Sequence, residues 1–335
     1  MTKQLSDIPV SVLDLATIRQ GNTIAQAFEN SLDLARHADR LGYKRYWLAE
    51  HHNMESIASA ATSVLIGYIA NGTKRIRVGS GGIMLPNHAP LIIAEQFGTL
   101  EALFPGRIDL GIGRAPGTDP ITSMALRRNL KGGVDEFPND VIELLEYFAP
   151  RNPTALVRAI PGEGMAVPVW LLGSSTYSAQ LAAMLGLCFA FASHFAPHHL
   201  FDALKIYKEN FKHSLYQERA YAMACVNVIV GETDEEAEHL STSFKMLALG
   251  LIKNQRKPLQ PPVQSMATIW NAAEEAAVQQ MMQYSFIGSK SSVKNKLQSF
   301  ITSTGVEELM VTTHLYDHEK RIKSYEMLSD LFSKS

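Results

Sequence analysis

The chain has 335 residues, 46% of them hydrophobic and 19% charged, a folded globular balance that excludes wholesale disorder. Lys plus Arg is 31 and Asp plus Glu is 33, a formal charge of −2, so the composition holds neither a basic face for nucleic acid nor an acidic tail. Two cysteines, Cys188 and Cys225, exclude a disulfide framework and a cysteine-rich metal site.

Residues 1–7 have no apolar stretch of the kind a secretory signal carries. The most apolar helical stretch, 57–70, falls short of the roughly 20 residues that a membrane span needs. A cytoplasmic location is expected. Along the chain, apolar runs alternate with amphipathic segments. Residues 10–16 read as a strand, and Asn22-Thr23 as the cap of a first helix. Its apolar stripe is Ile24, Phe28, Leu32, Ala35, Ala38 and Leu41, and Gly42 stops it. Strand 46–49, helix 57–70, strand 76–85, helix 91–103 and strand 108–112 follow. Periodicity is lost over 114–138, then a helix is expected at 140–148 and an irregular crossover at 151–166. Strand 167–172, helix 174–185, strand 188–193, helix 198–211, strand 222–230 and helix 234–249 come next. A polar, proline-bearing insertion fills 253–285, before helix 291–302, strand 308–313 and helix 316–332.

Eight strand–helix units in series imply parallel strands with right-handed crossovers, and that count favours a closed (β/α)8 TIM-like barrel in one domain over 1–335. Such barrels carry their chemistry at the C-terminal strand ends, where this sequence places many of its His, Gly and Ser residues. Four clusters stand there. In Glu50-His51-His52-Asn53 a histidine can exchange a proton near neutral pH, and neighbouring side chains of an extended segment point apart, so His51 and His52 do not share a ligand. Gly111-Ile112-Gly113-Arg114-Ala115-Pro116-Gly117 lacks the helix start of a dinucleotide turn, but Arg114 can grip a phosphate through two hydrogen bonds; the alternative is a surface ion pair. Gly173-Ser174-Ser175-Thr176-Tyr177-Ser178 offers first-turn amides and hydroxyls as an anion seat, or simply a capped helix. In Ser193-His194-Phe195-Ala196-Pro197-His198-His199 no acid stands at ligand spacing to make a metal site with His51, so no metal is expected.

The order of Trp47-Leu48-Ala49-Glu50-His51-His52-Asn53, the run from Val78 through Gly81-Gly82 to His88, the run from Gly106 to Arg114, and the Gly173 turn resembles the bacterial luciferase-like flavin monooxygenase family. The resemblance implies a barrel binding FMN, delivered reduced by a separate flavin reductase. The reduced flavin reacts with O2 to a C4a-(hydro)peroxyflavin that oxygenates a small substrate. It assigns His51 as the acid/base and Gly81-Gly82 as a non-prolyl cis peptide against the flavin ring. It places Arg114, Ser174, Ser175 and Ser178 at the flavin phosphate. It also implies a homodimer, and a mobile lid at 253–285. The sequence departs from the luciferase alpha chain at Gly113, where that chain has a reactive cysteine, and at Ser174, where it has a glutamate. The likeness is therefore to the single-gene bacterial members. The alternatives are hydride transfer with the deazaflavin F420, a non-catalytic flavin-binding protein, and a metal-dependent hydrolase.

Overall fold

The computed structural model describes residues 3–126 and 134–333. The first helix, α1 (Ile24–Arg40), begins at a reciprocal cap: the Gln26 N–H donates to Thr23 Oγ1 at 3.2 Å, and the Thr23 N–H donates to Gln26 Oε1 at 2.8 Å. Its buried face is Ala27, Ser31, Leu34, Ala35 and Ala38, rotated from the expected stripe, and Ile24 is 55% exposed. Small side chains let the helix approach its sheet closely, so the larger Phe28 and Leu32 flank the contact instead of filling it.

All eight expected strands form. They are β1 (Val10–Asp14), β2 (Arg45–Leu48), β3 (Arg77–Ser80), β5 (Ile108–Gly113), β6 (Val169–Gly173), β7 (Cys188–Phe191), β8 (Ala222–Gly231) and β10 (Glu308–Thr312), with two short additions, β4 (Ile83–Met84) and β9 (Ser285–Ser289). Neighbours pair in parallel in the order β1-β2-β3-β5-β6-β7-β8-β10, and β10 returns to β1 with Val311 opposite Val12, closing the barrel. The outer ring comprises α2 (Thr62–Gly72), α3 (Pro90–Leu103), α5 (Phe137–Phe148), α6 (Thr176–Leu185), α7 (Leu200–Asn210), α8 (Asp234–Ile252), α10 (Lys290–Thr304) and α11 (His318–Phe332). The short α4 (Pro120–Leu126) lies in the stretch read as aperiodic; residues 127–133 of that stretch lie outside the described residues.

Alternation along the strands sorts the core into two shells. Val12, Tyr46, Leu48, Val78, Leu110 and Phe189 face the helices. Leu13, Trp47, Trp170, Met223, Cys225 and Met310 fill the barrel, with Trp47 and Trp170 edge to face at 5.2 Å. At the N-terminal end of the barrel Asp109 accepts from Arg45 Nη1 at 2.7 Å, Arg77 Nε at 2.8 Å and Trp47 Nε1 at 3.2 Å. Glu308 accepts from Arg45 Nε, Ser11 Oγ and Tyr221 Oη. The bottom is thus closed by charge pairs and the middle by rings, which leaves the C-terminal mouth as the open end.

Several boundaries differ from the sequence reading. The first strand stops at Asp14, because Ala16 turns to a φ of +47°. Helix α2 starts at Thr62, not at residue 57, since the main chain before it is already bonded elsewhere: Ala58 N to Ala16 O at 3.1 Å, and Thr17 bridged to Ile57. The third strand breaks between Ser80 and Ile83, where the Gly81–Gly82 bond is cis. The insertion holds α9 (Ala272–Met281) and runs into β9, which pairs with the far half of β8.

Candidate active site

The mouth is built from three groups of strand ends. At the end of β2, His51 follows the inward-facing Trp47 and Ala49. Its N–H donates to Ser59 O at 3.1 Å, and Ser59 Oγ donates to Leu15 O at 3.0 Å, so the loops after β1 and β2 are laced together. His51 Nδ1 is buried with no hydrogen-bond partner. Burial holds the ring neutral, down to about 4, against the attraction of Glu50; His52 and Arg256 push the same way as burial. His52, in the bend that follows β2, donates from Nε2 to Glu50 Oε1 at 2.8 Å.

Glu50 is a hub that the sequence left without a role. It is 1% exposed, and it also accepts from His88 Nε2 at 2.8 Å and from the Met84 N–H at 3.1 Å. Burial raises its carboxyl, but the bonds from His52, His88 and Met84 outweigh that and bring it to about 2. One carboxylate therefore ties the β2 loop to the segment after Gly81-Gly82. The glycines themselves are forced by space: a Cβ on Gly81 would stand 2.7 Å from Leu13 Cδ1, and one on Gly82 would stand 2.8 Å from Gly111 O. The result is bare backbone on that wall of the mouth.

The second group joins β5 to β6. Arg114 is half-buried, makes no ion pair among the described residues, and lays its guanidinium 4.0 Å from the centre of the Tyr177 ring. Tyr177 is in the first turn of α6, so the cation sits at that helix's N-terminus. The helix begins at Thr176, and the N-cap Ser175 supplies no side-chain cap, which leaves the first amides open toward the mouth. Ser174 is exposed and Ser175 half-buried, whereas Ser178 is 4% exposed and tucked against Gly173. A Cβ on Gly173 would stand 2.6 Å from that of Ser178, so a glycine here is what lets the helix start this close to its strand.

The third group comes from β7, β8 and β10. His194 Nδ1 is buried without a partner, and its ring meets Phe195 edge on at 4.8 Å. Asn227 donates from Nδ2 to His194 O at 2.7 Å and to Ser285 Oγ at 3.2 Å, leaving a buried, unpartnered Oδ1. Asn227 stands opposite Thr312, whose Oγ1 lies 3.3 Å from His314 Nε2, and His314 stacks on Phe244 at 5.1 Å. Burial lowers His194 to about 3, reinforced by His314 and His51, and lowers His314 to about 4. Among the described residues no His, Cys, Asp or Glu group is arranged to hold a metal, and no helix is long and apolar enough to cross a membrane.

These three histidines predict an acid-labile fold. Unfolded, each takes up its proton near 6.5; folded, each resists until 4 or 3. The unfolded state therefore binds more protons across that window, and stability falls as pH drops from 6.5 toward 4. At about 1.4 kcal/mol per pKa unit, the three together weigh several kcal/mol. The urea midpoint of the free protein should be flat above pH 7 and drop steeply between pH 6.5 and 4.5, a range in which Glu50 does not yet titrate. A flat midpoint there would show that the rings are not held neutral.

The family model for luciferase-like monooxygenases matches residues 8–308. A luciferase-like monooxygenase of Escherichia coli strain K12 is 54% identical over 324 residues, 97% of each chain. An N-acetyl-S-alkylcysteine monooxygenase of Bacillus subtilis strain 168 is 32% identical, covering 96% of this chain and 98% of its own. Among solved structures, apo-MsnO8 superposes with a TM-score of 0.90 at 34% identity, over 97% of this chain and 98% of that one.

Proposed function

The chain belongs to the luciferase-like monooxygenase family, and from that premise we propose that it uses reduced FMN and O2 to oxygenate a small apolar or sulfur-containing organic substrate. One observation carries the cofactor: Arg114, with no ion pair among the described residues, lies over the first turn of a helix whose N-terminus no side chain caps. A guanidinium and open helix amides together make a phosphate seat. The residues present fit FMN there. Arg114, Ser174, Ser175 and the α6 amides would hold the phosphate, with Ser178 supporting the turn from beneath. The bare backbone of Gly81 and Gly82 leaves a flat wall for a ring system. Bound reduced FMN would supply the electrons that activate O2.

The chain's own groups do the rest. Neutral His51 offers an unpartnered Nδ1 to take or give a proton at the mouth. The packed interior of Trp47, Trp170 and Met310 keeps water from entering from below. A flavin reductase supplies the reduced cofactor. Segment 253–285 serves as the lid, held against the β1 loop by Leu259 and against α8 by Val263. A homodimer forms on α2 and α3, where Val64, Tyr68 and Ile92 are exposed. The S-alkylcysteine in the name of the Bacillus subtilis relative supports a thioether as the oxygenated group.

The test is an anaerobic titration with photoreduced FMN, riboflavin and reduced F420, followed by oxygen uptake. FMN should bind roughly tenfold or more tighter than riboflavin, because only FMN reaches the phosphate seat, and oxygen should be consumed by the FMN complex. Equal binding of FMN and riboflavin would remove the seat. Saturation by F420 without oxygen uptake would move the chain to hydride transfer.

A further inference from the structure

Three buried side-chain atoms at the mouth have no hydrogen-bond partner among the described residues: His51 Nδ1, His194 Nδ1 and Asn227 Oδ1. The surroundings of Asn227 define what it lacks. Met223 and Cys225 of β8 point into the barrel, and Val226 and Val228 point to the helices, so Asn227 is the next inward residue of that strand. It is 2% exposed. Both hydrogens of its amide are used, one on His194 O at 2.7 Å and one on Ser285 Oγ at 3.2 Å. Turning the amide over would set Oδ1 against the His194 carbonyl, so the orientation is fixed and the open atom is an acceptor. The layer beneath, Cys225 beside Met310, is apolar. Thr312, opposite Asn227 on β10, has its hydroxyl 3.3 Å from His314 Nε2. Neither the layer below nor Thr312 satisfies Oδ1, which leaves the mouth as the direction from which a donor can come.

The order of the strands decides which ligand brings that donor. Round the closed barrel β8 is four strands from β3 in either direction, so Asn227 faces the Gly81-Gly82 wall from across the mouth. A ring system laid on that wall, with its phosphate on β5 and β6, leaves Asn227 on the substrate side. A carboxylate has no hydrogen to give to Oδ1. An ammonium has, but the burial that keeps His194 and His314 neutral opposes a charged amine in the same place. We propose that the substrate carries an uncharged hydrogen-bond donor, a hydroxyl or an amide N–H, that donates to Asn227 Oδ1. This rests on the monooxygenase reading and adds the polar group by which the substrate is held and selected. A buried acceptor costs most when it is left open, so Asn227 rejects a close analogue that lacks the hydrogen.

Two pairs of near-isosteric probes test it: 2-(benzylthio)ethanol with benzyl propyl sulfide, and N-benzylacetamide with benzyl acetate. Each is titrated by calorimetry into the full-length protein saturated with reduced FMN under anaerobic conditions, alongside 2-(benzylthio)ethylamine. In at least one pair the donor should bind roughly ten- to a hundredfold tighter than its partner, although it is the more polar molecule. The pair that shows the preference identifies the hydroxyl or the amide as the source of the hydrogen. The ammonium probe should bind more weakly than the preferred donor. Asn227→Leu should weaken that donor by a similar factor, bring the pair level, and leave the FMN affinity unchanged; the wild-type comparison decides even where this variant does not fold. If neither pair shows a preference, water alone meets Oδ1 and the proposal falls. It also falls if the ammonium probe binds tightest, or if Asn227→Leu weakens both members of a pair alike, as a purely structural role would. If Asn227→Leu weakens FMN itself, Oδ1 serves the cofactor and the proposal again falls. A wild-type protein that fails to bind reduced FMN marks failure of the underlying reading, visible before any probe is added.

Discussion

Replacing His51 with glutamine should lower substrate oxygenation by roughly a hundred- to ten-thousandfold, the usual contribution of a positioned acid or base, while FMN affinity stays within about twofold. The expectation comes from what the ring lacks as much as from what it touches. His51 Nδ1 has no partner, although its loop is laced to two others and its ring cannot simply swing into solvent. A buried polar atom left open in a well-bonded loop is waiting for a group that arrives with the ligand. The ring's depressed pKa sets the pH profile. Held near 4 by burial, it is neutral throughout the physiological range. Activity that uses the neutral ring should rise with pH through about 4 in kcat/KM and show no break near 6.5. Unchanged turnover in His51→Gln would put the proton transfer on another group.

How much of this could be read from the sequence depends on whether the cause was local. The eight barrel strands were legible because each is a short apolar run bracketed by turn residues and followed by a helical stripe, and the start of the first helix could be placed at Asn22-Thr23, of which Thr23 is the cap, because its partner, Gln26, is three residues away. The start of α2 was not legible. Residues 57–61 have helical composition, but their backbone is bonded to Ala16 and Thr17, and the Ser59 hydroxyl to Leu15 O, and nothing local records that. Nor was β9, five residues whose reason to be extended is the overhang of β8 beyond β10. The same division holds at the site. Arg114 and the Ser174 turn were visible as residue types at strand ends. Glu50 and Asn227 were not, because each is defined by partners found or missing far along the chain, such as Glu50 with His88, 38 residues away. A signal for Glu50 did exist: a carboxylate followed by two histidines at a strand end is expensive to bury unless something holds it.

The sharpest test of this division of labour compares two residues of one strand region. Asp109 lies at the start of β5 and Arg114 just beyond its end, so they sit at opposite ends of the barrel. Asp109 is fully buried and is the shared anion of Arg45 and Arg77. In Asp109→Asn that anion is gone, Arg77 loses its acid, and Arg45 keeps only Glu308. Breaking a buried pair from one side costs about 3–5 kcal/mol, since the remaining charge stays desolvated. That is a large share of the roughly 5–15 kcal/mol that holds a domain folded. The urea midpoint should therefore fall sharply, and FMN affinity, measured where the variant is still folded, should stay close to wild type. Arg114→Gln should do the reverse. Arg114 has no acid to abandon, so stability should change by less than about 1 kcal/mol, while FMN binding weakens roughly ten- to a hundredfold with the loss of a charge-assisted phosphate contact and riboflavin binding does not change. The barrel argument needs both results. If Arg114→Gln lowered stability as much as Asp109→Asn, the mouth would be structural like the base. If Asp109→Asn weakened FMN without unfolding the protein, the charges at the bottom would be coupled to the site through the ring-filled interior, and the separation of stability from chemistry along the barrel axis would be wrong.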